Sequence, residues 1–277
     1  MRKFALVLLL VAPTVFAAER IVSLGSCVTE TLYAVGVGEQ VVGVDTSSRW
    51  PAAAQKLPQV GYHRTLGAEG ILSLNPTRVI GTTQAGPPEA LEKVRRAGVS
   101  VTLLDEPKNL VSALALMEKI ALEAGRPEQG RELIARINAQ LKQLKIPTGT
   151  PAKVLVLLSA HGGSPLAAGS DTAADTMIQL AGGLNAGGEF TGFKPLSVES
   201  LMRIAPEFIV VPDHALPMMG GREAVLKLPG IAETPAGKNG RLVVMDSLLL
   251  LGLGPRLGEG VAQLSAAIHA KEMASAE

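Results

Sequence analysis

The chain contains two eight-residue segments of the same pattern, 130 residues apart. The first runs from Glu69 to Pro76 and the second from Glu199 to Pro206. Each begins with Glu, ends with Pro and precedes an apolar run typical of a β-strand. Apolar residues stand in register at 72/202, 74/204, 79/209 and 80/210. A chance match of two short helices that enter strands is the alternative. We predict a duplicated fold, with a ligand cleft between two similar lobes.

Strands and helices alternate on both sides of a purely helical stretch. Predicted strands lie at 20–24, 41–45, 77–81 and 99–103, and a strand at 153–158 opens a second series after the helical residues 109–145. Such alternation favours parallel sheets. We predict an α/β fold of two Rossmann-like β/α lobes, 18–125 and 147–277, joined by a single long connector helix at 126–146. A rigid connector of this kind should permit only a small closure of the lobes.

The first residues have the pattern of a secretory signal peptide. Arg2 and Lys3 precede an apolar run at 4–11 that is too short for a membrane span, and small residues suit cleavage after Ala17. We predict that 1–17 is a signal peptide and that the mature protein is exported, with no membrane anchor. Cys27 follows a loosely lipobox-like 24–26, but its distance from the apolar run and its strand-like surroundings favour a buried free thiol.

Composition and motifs exclude several classes of function. A single cysteine cannot form an intramolecular disulfide, and no Cys/His cluster has zinc spacing. A formal charge of +1 without basic blocks indicates no nucleic-acid partner. Ser159 and His161 lie close in sequence, but no nucleophile elbow, dinucleotide-binding turn or P-loop is present. An enzyme is therefore a minor hypothesis.

Two residues in predicted loops are candidates for metal chemistry. Tyr62 lies in Gly61–Tyr62–His63–Arg64, at the head of a β/α unit, where residues line clefts. A phenolate is a hard donor suited to ferric iron, and Arg64 would supply a cation that favours loss of the phenol proton. His161 follows a predicted strand of the second half, so it would face Tyr62 across a cleft. A solvated loop tyrosine and a hydrogen-bonding loop histidine are the alternatives.

The chain resembles the periplasmic haem-binding proteins of bacterial ABC haem uptake systems, within the wider family of vitamin B12 and iron-siderophore binding proteins. The resemblance covers nearly all of the predicted mature chain. The segments that carry it are 20–25, Val60–Arg64 with 68–76, 164–169, 173–175 and 251–256. It implies a periplasmic, monomeric binding protein that captures haem between its lobes. Ferric haem b is then the transported ligand, and a cobalamin or a ferric siderophore is the alternative ligand.

The resemblance also implies roles for particular residues. Tyr62 would be the axial ligand of the haem iron, with Arg64 beside it, and His161 matches the position of a possible second ligand. Haem propionates need cations, for which Arg222 and Arg256 are candidates. The resemblance further implies that Glu69 and Glu199 dock onto the two subunits of an ABC permease dimer. Electrostatic stabilisation of a helix N-terminus by each glutamate is the simpler alternative.

Overall fold

A computed structural model describes residues 19–147, 149–161 and 164–270, and for His161 and Ser164 it describes the backbone alone. The predicted signal peptide, 1–17, lies outside the described residues. Within the described part of the chain, no helix is long and apolar enough to cross a membrane.

The first lobe is built on a four-stranded parallel sheet. Its strand order is β2-β1-β3-β4, and helices connect successive strands. In chain order, the elements are β1 (Ile21–Leu24), α1 (Ser26–Ala34), β2 (Val41–Val44), α2 (Ala68–Leu72), β3 (Arg78–Thr82), α3 (Pro88–Arg96) and β4 (Ser100–Leu104). The central strands β1 and β3 are short runs, mostly of β-branched and apolar residues, buried on both faces, as the inner strands of a parallel sheet covered by helices are, whereas the edge strand β4 is partly exposed.

Two antiparallel-packed helices follow the first sheet, α4 (Leu110–Glu123) and α5 (Pro127–Gln143). Asn109 caps α4, because its side chain accepts a hydrogen bond from the Ser112 N–H at 2.9 Å. Pro127 stands at the first turn of α5, where its missing N–H costs nothing. Helix α5 is the predicted connector. The domain boundaries at 125/126 and 146/147 stay a prediction.

The second lobe has a parallel core with an antiparallel extension. Its sheet runs β10-β9-β5-β6-β8, and β7 pairs with β5. The strands are β5 (Lys153–His161), β6 (Ser164–Ala168), β7 (Leu184–Asn185), β8 (Phe193–Pro195), β9 (Phe208–Pro212) and β10 (Leu242–Met245). The helices are α6 (Ala173–Leu180), α7 (Val198–Ile204), α8 (Ala215–Met218), α9 (Gly221–Leu226), α10 (Pro235–Lys238), α11 (Ser247–Leu251) and α12 (Leu257–Ile268). The pairing of β5 with β6 is antiparallel, which the sequence pattern did not predict.

The predicted duplication is visible in the backbone. Strands β3 and β9 begin and end 130 residues apart, and each lies between an equivalent pair of parallel strands, β1 and β4 in the first lobe and β5 and β10 in the second. One continuous apolar core contains residues of both lobes and of α4 and α5, such as Ile21, Ile120 and Leu264. This shared core joins the lobes over a broad contact.

Candidate functional site

A cavity with a volume of about 500 Å³ lies between the two lobes. Its walls come from the carboxyl ends of β1, β2, β3 and β4 in the first lobe and of β9 and β10 in the second, and from the loops and helices that follow these strands. The carboxyl ends of parallel strands meet at one edge of a sheet, which is the usual place for ligands in open α/β folds. The lining residues are Gly25, Ser26, Cys27, Thr46, Ser47, Arg49, Tyr62, His63, Arg64, Thr82, Glu106, His214, Ser247, Leu248, Leu251 and Gly252.

Tyr62 lies in this cavity with 43% of its surface exposed. The preceding Gly61 has φ 101°, a left-handed value that side chains disfavour, and it turns the loop toward the cleft. The loop is fixed by backbone hydrogen bonds: the Thr46 N–H donates to the Gly61 carbonyl at 3.0 Å, and the Thr65 N–H donates to the Tyr62 carbonyl at 2.8 Å. The exposed phenol is therefore carried on a well-braced backbone.

A hydrogen bond between His63 and the buried Asp45 supports the Tyr62 loop. The His63 Nδ1 lies 3.0 Å from the Asp45 Oδ2, and the His63 ring meets the Tyr62 ring edge-on at 4.6 Å. Asp45 also accepts hydrogen bonds from the Gly25 N–H, at 2.8 Å, and from the hydroxyls of Ser47 and Ser48. Burial alone would raise the pKa of Asp45, but these hydrogen bonds, that from His63 first, lower it to about 2. Asp45 is therefore ionised at neutral pH.

Arg49 crosses the cleft from the first lobe to the second. Its Nη2 donates to the Ser247 Oγ at 2.5 Å and lies 3.6 Å from the Asp213 Oδ1. The Arg49 and Asp213 side chains are both about half exposed. Partial burial would raise the pKa of Asp213, but hydrogen bonds from the backbone N–H groups of His214 and Ser247, among others, lower it. A guanidinium thus stands at the cavity, paired with a carboxylate of the opposite lobe.

Tyr62 and Arg64 both line the cavity, and their roles toward a ligand stay predictions. His161 is the last residue of β5, at the carboxyl end of a second-lobe strand, and its side chain is outside the description. Neither Arg222 nor Arg256 is among the described residues that line the cavity. The Arg222 Nη2 donates instead to the Leu242 carbonyl at 2.7 Å.

Arg256 forms a second ion pair between the lobes, in addition to Arg49–Asp213, and its partner is Glu30. Its Nε and Nη2 donate to the two carboxylate oxygens of Glu30, at 3.1 and 3.0 Å, and its guanidinium lies 4.4 Å from the centre of the Trp50 ring. Glu30 is 5% exposed. Because this carboxylate takes both N–H groups in bidentate fashion, Arg256 is a cross-lobe structural contact and is poorly placed to bind a ligand.

Cys27 is the buried free thiol that the sequence predicted, although it lies in the first turn of α1 rather than in a strand. Burial and the nearby carboxylate of Glu30 raise the pKa of the thiol to about 12. The thiol is therefore protonated and unreactive at neutral pH. Cys27 is one of the residues that line the cavity.

Glu69 and Glu199 are exposed at the N-termini of α2 and α7, one on each lobe. Hydrogen bonds from the Glu199 backbone N–H and from the Ser197 hydroxyl lower the pKa of Glu199. Both glutamates thus occupy equivalent positions of the duplicated fold, and neither belongs to the cavity.

Sequence reasoning missed Arg49, Asp45 and Ser247, and it assigned no role to His63. Asp45 and Arg49 follow β2 and so shared the strand-end signal that drew attention to Tyr62. The contact between Arg49 and Ser247 joins residues 198 apart in sequence, and no local pattern predicts such a pair. Among the residues the structure describes, no group of three or more His, Cys, Asp or Glu side chains has the arrangement of a metal site.

Comparisons with known proteins place this geometry in a family. A family model described as periplasmic binding protein matches residues 21–249, so the chain belongs to the periplasmic binding protein family. Its fold and interlobe cleft are those of that family's two-lobed substrate-binding proteins.

The similar structures and relatives differ in ligand. The periplasmic heme-binding protein RhuT from Roseiflexus sp. RS-1, in apo form, is 40% identical, with a TM-score of 0.85 over 92% of this chain and 99% of that one. The periplasmic heme-binding protein BhuT in complex with two hemes is 38% identical, with a TM-score of 0.86 and the same coverage. A vitamin B12-binding protein of Vibrio cholerae is 29% identical over 205 residues, 73% of this chain and 73% of its own length.

Proposed function

We propose that this protein captures ferric haem in the interlobe cleft, in the periplasm, and delivers it to an ABC transporter of the inner membrane. The observation that carries the proposal is the exposed phenol of Tyr62, held on a braced loop in the same cavity wall as Arg64. Two haem-binding proteins of 38–40% identity with nearly full coverage support haem as the ligand class. The cavity volume of about 500 Å³ lies in the usual range for small-ligand sites.

Each cleft residue has a distinct part in the proposal. Tyr62 binds the ferric iron as its axial phenolate, because a tyrosine oxygen is a hard donor that occurs as an axial haem ligand. Arg64 stabilises the negative charge of the phenolate. The Asp45–His63 pair holds the Tyr62 loop in place, and the apolar side chains of Leu248 and Leu251 offer a surface to the porphyrin face.

His161 is proposed as a second iron ligand, from the end of β5 in the opposite lobe. BhuT, at 38% identity, binds two haems, so a second haem whose iron is held from the second lobe is consistent with the fold. Titration of the protein with ferric haem, followed by absorption, gives the stoichiometry. The His161→Ala variant would lose the second equivalent or show an altered iron spectrum if His161 is a ligand.

A cobalamin is the second candidate ligand, because the vitamin B12-binding protein of Vibrio cholerae is 29% identical over most of the chain. The chain has one Trp, two Tyr and five Phe, which is few for a corrinoid site. Arg64 and Tyr62 also suit an acidic, ferric ligand better than a corrinoid. The haem proposal therefore takes precedence.

The test compares two tyrosine variants of the purified apoprotein. Ferric haem added at micromolar concentration should give a high-spin ferric spectrum, and Tyr62→Phe should abolish it because the phenol oxygen is removed. Tyr33→Phe is the matched control: Tyr33 lies on α1, packs partly buried against the apolar core, and should leave the spectrum unchanged. Binding of cyanocobalamin instead of haem, or a haem spectrum that survives Tyr62→Phe, would contradict the proposal.

Delivery is proposed to use the two exposed glutamates. Glu69 and Glu199 stand at equivalent helix N-termini of the two lobes, and a two-lobed protein on a permease dimer would present one carboxylate to each subunit. Carboxylates are well matched to arginine guanidinium groups, with which they form bidentate hydrogen bonds. The two glutamates, one on each lobe, therefore suit a dimeric partner that has one basic site on each subunit.

A further inference from the structure

The cleft holds one guanidinium whose present partners belong to the opposite lobe. Arg49 follows β2, and its Nη2 reaches the Ser247 hydroxyl and approaches the Asp213 carboxylate at 3.6 Å. Both the Arg49 and the Asp213 side chains are about half exposed, and pairs of this kind are weak because water competes for each charge. A ligand carboxylate that enters the cleft would therefore meet an arginine that is easily released.

Arg49 can leave Asp213 at little cost to that carboxylate. The Asp213 Oδ1 accepts hydrogen bonds from the His214 N–H at 2.8 Å and from the Ser247 N–H at 3.1 Å, and both are backbone contacts within the second lobe. Asp213 thus stays hydrogen-bonded and accessible to water without Arg49. The Ser247 hydroxyl stays in the cavity wall and offers a further donor to an incoming oxygen.

The other cations that the sequence suggested are committed elsewhere. Arg256 is held by Glu30 through both oxygens, and Arg222 lies outside the cavity lining. Arg64 stands in the cavity wall, but the proposed function assigns its charge to the phenolate of Tyr62. Arg49 is the arginine of the lining that remains for a carboxylate, and its planar fork of N–H groups matches that group bidentately.

We propose that Arg49 and Ser247 form a carboxylate subsite at the cleft, in which a carboxylate of the ligand replaces Asp213 as the partner of the Arg49 guanidinium. This inference rests on the proposed function, since ferric haem carries two propionates. It makes Asp213 a competitor of the ligand. The second lobe then lowers the affinity of the cleft for the ligand, because the Arg49–Asp213 contact must break before the ligand carboxylate can bind.

The experiment uses two ferric porphyrins, haem and its dimethyl ester, which differ in the charge of the side-chain carboxylates. Arg49→Ala should weaken haem binding about tenfold or more and change ester binding little, because the lost contact is a charge-assisted hydrogen bond. Arg49→Lys should lie between, because a lysine keeps the charge and loses the fork. Asp213→Asn should tighten haem binding severalfold, because it keeps an acceptor for the two backbone N–H groups and removes the competing charge.

Arg131→Ala is the matched control, since Arg131 is exposed on α5 and pairs with Glu128. It should leave both affinities unchanged, and thermal unfolding of each variant checks that it is folded. Equal losses for haem and its ester in Arg49→Ala, or weaker haem binding in Asp213→Asn, would overturn the subsite while leaving the Tyr62-dependent haem spectrum intact. Failure of the proposed function has a different signature, since the unaltered protein would then give no Tyr62-dependent spectrum.

Discussion

In the first lobe, α2 enters β3 through Asn75 at φ 46°, and in the second lobe α7 enters β9 through Ala205 at φ 45°. These positions are 130 residues apart, so the duplication extends to a rare backbone conformation. The lobes nevertheless contribute differently to the cleft. The first lobe supplies Tyr62, His63, Arg64 and Arg49, whereas the second supplies apolar side chains, His214 and Ser247. A repeated scaffold can therefore keep its geometry while one copy carries most of the polar chemistry.

The largest expected effect concerns the outer surface, where the lobes are equivalent. If the proposed docking holds, Glu69→Lys and Glu199→Lys should each reduce haem-stimulated ATP hydrolysis by the reconstituted permease at least tenfold, because each lysine would repel the basic site proposed for that permease subunit. The double variant should abolish it. Haem absorption should be unchanged in all three, since neither glutamate belongs to the cavity.

Glu132→Lys reverses a charge at an exposed position on α5 and is the matched control. It should stimulate ATP hydrolysis by the permease as fully as the unaltered protein does. Equal loss in this control would mean that net charge, rather than the two glutamates, drives docking. A loss in only one of the two lobe variants would show that the lobes dock unequally and would break their equivalence.

The cleft gives the second comparison, between two aspartates that follow strands. Asp45 of the first lobe is fully buried with a pKa of about 2, and Asp213 of the second lobe is half exposed. The pKa of Asp45 is depressed below its usual 3.8, so its ionised form stabilises the fold above that value, and this contribution is lost as the pH falls from 3.8 toward 2. A depression of this size corresponds to about 2 kcal/mol of unfolding free energy.

Urea unfolding of the unaltered protein and of Asp45→Asn, at several pH values, measures this contribution. The variant should be less stable by about 2 kcal/mol at neutral pH, and the difference should shrink as the pH falls toward 2. Asp213→Asn should show a smaller difference throughout, because its carboxylate is more exposed. A difference in unfolding free energy between Asp45→Asn and the unaltered protein that does not change with pH would mean that the hydrogen bonds of Asp45, rather than its charge, stabilise the loop.

Local patterns predicted the repeated framework well. The predicted strand at 77–81 is β3, Arg78–Thr82, and the helix predicted from Pro127 is α5. Short apolar runs between turn residues carry this information, because burial on both faces of a parallel sheet demands it. Tyr62 and Arg64 were singled out because they lie in a predicted loop at the head of a β/α unit, the edge from which clefts are lined, and both line the cavity.

Long-range pairing decided the rest of the site, and sequence does not encode it locally. Arg256 was a candidate for binding a propionate, and in the structure it pairs with Glu30, 226 residues away, while Arg49 reaches Ser247 across 198 residues. The antiparallel β6–β8 extension was missed for a similar reason, because a Pro-containing run such as 164–168 lacks a strong strand pattern. Which arginine is free for a ligand depends on such pairings and follows from the tertiary structure alone.

The smallest expected effect returns to the two left-handed residues. Alanine in this conformation is strained by contact of its Cβ with the backbone, whereas asparagine tolerates it. Ala205→Gly should therefore stabilise the protein by about 0.5–1 kcal/mol, after allowance for the greater freedom of glycine in the unfolded chain. Asn75→Gly should change the unfolding free energy by only a few tenths of a kcal/mol. Ala205→Asn, which copies the first-lobe residue, should recover part of the gain, and urea unfolding of the three variants measures all of these differences. Destabilisation by Ala205→Gly would show that the Ala205 methyl group contributes more through packing than it costs in strain, so that the lobes match in backbone angle but not in energy.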